Sequence, residues 1–374
     1  MKFNRVLFFV LAAIVSILLT ACGAAPLTNW PGIVTDGKNV YMADGQYIRT
    51  IKVSDGTPIT APGADGALAP VLFPPKADGN IVFYGTPAIT SDGQLIFGNA
   101  STQTNVHTLY STDPLTGATK WTFTDATSTW MAGPVVSGDT IYAANDNGTL
   151  YAFDLKGKKR WETSVSTDAL WSSPVVSENT VYIGTLAHDI IALDTATGKQ
   201  RWKQNLDNAI IGPPAISTDG TLYVGTISGN LYAFNAKEGS KVWATTLQGG
   251  IWSTPALDGT NLYIGTADGT AGKFYILNAA DGKPVHNPID ETGSVIGSPL
   301  VLKDKIVYVT EDGYINFIDK KGDDVVAPIK IENAKIYTAP VLAGDLILIA
   351  PMNAEFVLAA YNQNGVQQWK FIPK

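Results

Sequence analysis

The chain repeats itself. A proline opening a short apolar run recurs eight times, in Trp30-Pro31-Gly32-Ile33, Thr86-Pro87-Ala88-Ile89, Gly133-Pro134-Val135-Val136, Ser173-Pro174-Val175-Val176, Pro213-Pro214-Ala215-Ile216, Thr254-Pro255-Ala256-Leu257, Ser298-Pro299-Leu300-Val301 and Ala339-Pro340-Val341-Leu342. From Pro87 the intervals are 47, 40, 40, 41, 44 and 41 residues, and the first, from Pro31, is 56. A second marker, a turn glycine, gives the same count at Gly56, Gly117, Gly157, Gly198, Gly239, Gly282, Gly322 and Gly365. A period near 40 residues that divides into four short strands, punctuated by Gly, Asp and Asn, describes a radial array of hairpin sheets.

One unit divides into strands at 173–177, 180–185, 189–194 and 199–205. Alternation and turn chemistry make these antiparallel. No stretch carries a helical period except 356–361, and that stretch falls on a strand position of the repeat. The expectation is all-β: one eight-bladed propeller of four-stranded antiparallel blades, eight fitting both markers better than seven. The first segment is of innermost-strand type and the last of outermost type, so the ring closes blade against blade. Residues 60–80, rich in Pro, Ala and Gly, form an extra loop that lengthens the first unit.

The second marker lies in a longer pattern, clearest in Ile190–Trp202 (IIALDTATGKQRW) and repeated in Leu109–Trp121, Leu150–Trp161 and Leu231–Trp243. An apolar residue, Ala, Asp, Thr-Gly and a closing Trp resemble the repeat of the PQQ-like propellers. That family includes quinoprotein dehydrogenases and the BamB-type lipoproteins of outer-membrane assembly. The resemblance spans residues 28–372. It implies that Trp121, Trp161, Trp202, Trp243 and Trp369 pack between blades and belong to the core.

The N-terminus supplies an address. Lys2 and Arg5 precede an uncharged run from Val6 to Leu19, too short to span a bilayer and of the length of a signal-peptide core. Leu19-Thr20-Ala21-Cys22 follows, resembling a lipobox, and Cys22 is the only cysteine of the chain. Residues 1–21 are therefore expected to be a lipoprotein signal peptide, 22–28 a lipid-proximal linker and 29–374 the propeller. Cys22 is the expected lipidation site and the membrane attachment. The expected location is the outer face of the cytoplasmic membrane, or the periplasmic side of an outer membrane. Gly23 after the cysteine leaves out the Asp that retains such proteins at the inner membrane.

A single cysteine forbids an internal disulfide, so packing alone holds the fold. The formal charge of −7 and the absence of any basic stripe exclude nucleic acid as a partner. His107, His188 and His286 fall in separate units without ligand spacing, so no metal site is expected. Asn145-Asp146-Asn147-Gly148, Ala267-Asp268-Gly269 and Glu311-Asp312-Gly313 read as hairpin turns rather than cation loops. No nucleophile elbow, P-loop or acid/base pair stands out, and no catalytic residue is assigned. In the family's dehydrogenases the resemblance implies PQQ beside an adjacent-cysteine disulfide and a Ca²⁺ held by Glu, Asn and Asp. This chain cannot form that disulfide, and no such calcium set maps onto it, so no cofactor is expected.

The remaining tryptophans, Trp30, Trp130, Trp171 and Trp252, all lie just before a repeat proline. Three residues before the prolines stand Tyr84, Met131, Trp171, Ile211, Trp252, Ile296 and Tyr337. This segment leads from an outer strand to the next innermost strand, so its side chains converge on one channel mouth. Trp30, Tyr84, Trp130, Met131, Trp171, Trp252 and Tyr337 are the candidate binding residues, a plug of the channel being the other reading. The expected function is a monomeric, non-catalytic binding or scaffold lipoprotein of the cell envelope with protein partners. The resemblance implies a role in β-barrel assembly where an outer membrane exists. The alternatives are a PQQ-dependent oxidoreductase and a cell-surface ligand-binding propeller.

Overall fold

The computed structural model describes residues 31–62, 66–74, 81–101, 107–269 and 271–373. Cys22, Trp30 and the proposed signal peptide and linker lie outside these residues. Among the described residues there is no helix, and the ordered backbone is strand and turn. Eight four-stranded antiparallel sheets form the eight blades of a propeller. In blade 4 the strands are Val175–Ser177, Thr180–Gly184, Asp189–Asp194 and Gln200–Asn205, within two residues of those read from the repeat. The segment with a helical period contributes a strand, Leu358–Asn362, because both its flanks are claimed by neighbouring strands.

Each blade uses four strands consecutive in the chain, except that blade 1 takes its outermost strand from Leu72–Phe73, beyond an insert. The intervening insert adds a small hairpin, Thr60–Pro62 with Leu68–Pro70, carrying the exposed Leu68. The ring closes blade against blade: Thr338 Oγ1 donates to Pro31 O at 2.6 Å, and Trp369 Nε1 donates to Val53 O at 2.8 Å.

The core is a set of seams. Successive residues of a strand point to opposite faces, and here each face meets a neighbouring blade. Ile141 joins Ile96, Leu109 and Phe153 at the seam between blades 2 and 3. The next residue, Tyr142, joins Val181, Ile183 and Leu193 at the seam between blades 3 and 4. The central strands of a blade are therefore apolar on both faces, as in Ile141–Ala144, all nearly inaccessible.

All eight turn glycines between third and fourth strands have positive φ, from 68° at Gly198 to 102° at Gly322. At five seams the glycine also receives an indole. Trp121 lies against Gly157, Trp161 against Gly198, Trp202 against Gly239, Trp243 against Gly282 and Trp369 against Gly56. Each indole N–H then donates across the seam to a carbonyl: Leu155, Thr195, Ala236, Ala279 and Val53, at 2.8–3.0 Å. The other three seams use different residues. His286 meets Gly322, Val326 and Ile329 meet Gly365, and Val71 approaches Gly117.

Candidate functional site

The seven connections from an outermost strand to the next innermost strand gather at one end of the channel. Their backbones touch. A Cβ on Gly85 would meet Gly133 N at 2.8 Å, one on Gly212 would meet Ser253 O at 2.6 Å, and one on Gly297 would meet Thr338 O at 3.0 Å. Hydrogen bonds continue the ring, from Ser172 Oγ to Gly212 O at 3.3 Å and from Thr254 N to Ser298 Oγ at 2.9 Å. Small residues after the mouth position let neighbouring connections approach this closely.

Two adjacent positions of the connection have opposite fates. Four residues before the proline stand Phe83, Trp130, Leu170, Ile210, Ile251, Val295 and Ile336, none more than 1% exposed. Three residues before it stand Tyr84, Met131, Trp171, Ile211, Trp252, Ile296 and Tyr337, every one half-buried. An extended chain turns alternate side chains to opposite sides, so one position enters the seam and the next faces the mouth. Tyr84, Met131, Trp171, Trp252 and Tyr337 are thus brought together at the mouth.

Trp130 is not among them. It sits one residue too early, 1% exposed, in the seam between blades 2 and 3 with Phe123, Tyr151 and Phe153. Gly98 clears its place, since a Cβ there would come within 2.3 Å of Trp130 Cβ. Gly184, Gly225 and Gly265 make the same room for Ile210, Ile251 and Val295. Counting residues to the proline would have separated Trp130 from Trp171 and Trp252. Trp30, one residue before Pro31, lies outside the described residues.

Several mouth side chains are tied to carboxylates. Tyr337 donates its hydroxyl to Glu311 Oε1 at 3.0 Å, and Lys335 Nζ reaches the same oxygen at 3.1 Å. Burial raises the Tyr84 phenol above its ordinary pKa. Trp171 neighbours Asp146, whose Oδ2 accepts from Thr129 Oγ1 at 2.6 Å. Burial pushes the Asp146 carboxyl up to about 6, against the opposing effect of Thr129 and Trp171 as donors. Yet Asp146 Oδ1 and Trp171 Nε1 are both buried and neither completes a hydrogen bond among the described residues. Ser253, 3% exposed beside Trp252, also holds a hydroxyl without a partner there.

Among the described residues no group of three or more His, Cys, Asp or Glu side chains could hold a metal ion.

The family model described as outer membrane protein assembly factor BamB matches residues 30–186, 105–209 and 187–372. No curated protein sequence matches the chain. Among solved structures, BamB from Moraxella catarrhalis is 19% identical, covers 90% of this chain and 92% of its own, and has a TM-score of 0.65. A europium-containing methanol dehydrogenase is 14% identical over 87% of this chain and 83% of its own, at 0.67. The computationally designed Ika8 protein is 16% identical over 76% and 85%, at 0.62. At these identities the three structures speak for the fold alone.

Proposed function

The chain belongs to the family described as outer membrane protein assembly factor BamB, and on that premise we propose a non-catalytic binding or scaffold protein of the cell envelope. It holds a protein partner through the mouth face and is anchored to a membrane by a lipid on Cys22. The observation that carries this reading is the ring of half-buried side chains at the mouth, two of them tryptophans, on a rigid scaffold. In a cell with an outer membrane, the partner belongs to the assembly of β-barrel proteins there.

The test pairs two measurements on Trp171→Ala and Trp252→Ala. Loss of partner capture at nearly unchanged melting temperature supports the reading. Lower stability with unchanged capture leaves the mouth as packing.

The second reading is a quinone-dependent oxidoreductase, the activity of the dehydrogenases whose repeat this chain resembles; the methanol dehydrogenase likeness itself speaks for the fold alone. The residues fit it poorly. The one cysteine cannot form an adjacent-cysteine disulfide, and among the described residues no group of three or more His, Cys, Asp or Glu side chains could hold a metal ion. Quinone absorbance in the purified protein, or micromolar affinity for PQQ by calorimetry, would favour the oxidoreductase.

A further inference from the structure

The two ends of the propeller differ in charge. Each charged residue can be assigned to the end it lies nearer or is ion-paired to. The mouth end then holds thirteen carboxylates and six cations among the described residues, and the opposite end eighteen and sixteen. The chain's negative excess is thus concentrated on the mouth face.

The six cations there are all engaged. Arg49 pairs with Asp44, Lys203 with Asp189, Lys273 with Asp290, Lys330 with Asp312, Lys335 with Glu311 and Lys370 with Glu355. Seven carboxylates form no ion pair among the described residues, Asp125 feeling Lys159 without pairing to it. Four follow one another on blades 2 to 5: Asp125, Asp146, Asp168 and Asp207. Asp207 takes only neutral donors, from Thr226, Ser228, Asn230 and Tyr232. Asp125 and Asp168 are exposed. This arc borders the part of the mouth that holds Met131, Trp171 and Ile211.

The mouth also contains unused polar atoms. Trp171 faces Asp146 and acts on it as a donor short of full hydrogen-bond geometry, and the buried Ser253 hydroxyl has no partner among the described residues. The equivalent hydroxyl of Ser172 spans to the neighbouring connection. The Ser253 hydroxyl stands apart from the surface charge and marks the mouth as incompletely satisfied.

We propose that the mouth face takes a lysine- or arginine-bearing polypeptide segment of another protein. The cationic side chains lie on the Asp125–Asp207 arc, and the apolar side chains rest on Trp171 and Trp252. The proposal rests on the partner-binding reading above and names the chemistry of that partner. Uncompensated carboxylates favour a cationic ligand and disfavour an acidic one through like-charge repulsion. An indole face adds to the attraction, because its quadrupole draws guanidinium and ammonium groups. Deprotonated Asp146 contributes to this field, so affinity falls as the pH drops through about 6.

The experiment uses the full chain and two synthetic peptides, one alternating Lys with Phe and Val and one with Glu in place of every Lys. Binding is followed by fluorescence anisotropy at low and high ionic strength. The Lys peptide is expected to bind at least about tenfold tighter than the Glu peptide, with the preference shrinking as salt screens the face. Asp125→Lys with Asp168→Lys is expected to remove that preference. Asp345→Lys, an exposed site at the opposite end, reverses charge without touching the mouth and is expected to leave it intact. Equal binding of both peptides overturns the proposal, as does a preference that survives the double substitution or falls equally with Asp345→Lys. A native partner whose capture needs Trp171 and Trp252, alongside no preference for the Lys peptide, would sink the charge proposal and leave the scaffold reading standing. Failure of both tests would end both.

Discussion

The indole of Trp202 lies so close to Gly239 of the next blade that a methyl group on the glycine would sit 2.6 Å from the ring. The same indole donates its N–H to Ala236 O at 2.9 Å. One side chain therefore packs the seam and satisfies a carbonyl of the turn beyond it. Trp202→Ala is expected to cost about 3–5 kcal/mol, the usual result of deleting a large buried aromatic. Gly239→Ala forces a side chain into positive φ as well as into the ring. The double variant should lose less than the sum of the two, since truncating the indole relieves the clash that the methyl of Gly239→Ala would make with it. Chemical denaturation measures all three, and Trp161→Ala and Trp243→Ala belong in the same series. Changes under about 1 kcal/mol at all three tryptophans would refute the packing account.

The seams are not equally fastened. Blade 7 meets blade 6 through His286 at Gly322 and blade 8 through Val326 and Ile329 at Gly365, so neither side has an indole docked on the turn glycine. Local opening starts where fewest contacts oppose it. Native-state hydrogen exchange should therefore be faster in the strand Tyr314–Asp319 of blade 7 than in Asp189–Asp194 of blade 4. The reverse order would show that the tryptophans do not set seam stability.

Asp146 gives a pH signature. Its folded-state pKa, about 6, lies above the ordinary 3.8 because burial disfavours the charge. The folded protein then binds this proton more tightly than the unfolded chain does. The resulting stability is fully present below pH 3.8 and is lost as the pH rises through about 6. Asp146→Asn should raise stability at pH 7 by roughly 1–2 kcal/mol and flatten this window. Denaturation midpoints at pH 4, 5, 6 and 7 test it, and an unchanged slope in the variant would assign the dependence elsewhere.

Anchoring has a direct chemical test. Thioether formation needs the Cys22 sulfur, so Cys22→Ser should block acylation and signal-peptide processing. Metabolic labelling with a fatty-acid analogue reads this out. Label remaining on the variant would place the lipid elsewhere. Pro31 O is held by Thr338 at the mouth, and Pro31 is nine residue steps from Cys22, the proposed anchor. At 3.3–3.6 Å per residue a tether from a lipid on Cys22 would reach at most about 32 Å, and the mouth would then lie near the membrane.

Blade number, strand order, the turn glycines and the docking tryptophans were all readable from the chain, because each is a local pattern repeated at a fixed period. A positive-φ turn needs glycine wherever the turn recurs, and a strand buried on both faces is written as an uninterrupted apolar run. The mouth was legible as a place in the repeat, but its membership was not. Trp130 and Trp171 differ by one position relative to their prolines, and that single step sends one ring into a seam and the other to the channel. Which side is the seam depends on a neighbouring blade, where Gly98 leaves the space that Trp130 fills. Charge followed the same division. The sequence determined that the chain is acidic, while only the folding of every connection and every turn between second and third strands to one end, and of the remaining turns to the other, decided that the excess lies on the mouth face. Composition carries no direction, and direction comes from strands that run alternately up and down between two ends of a ring.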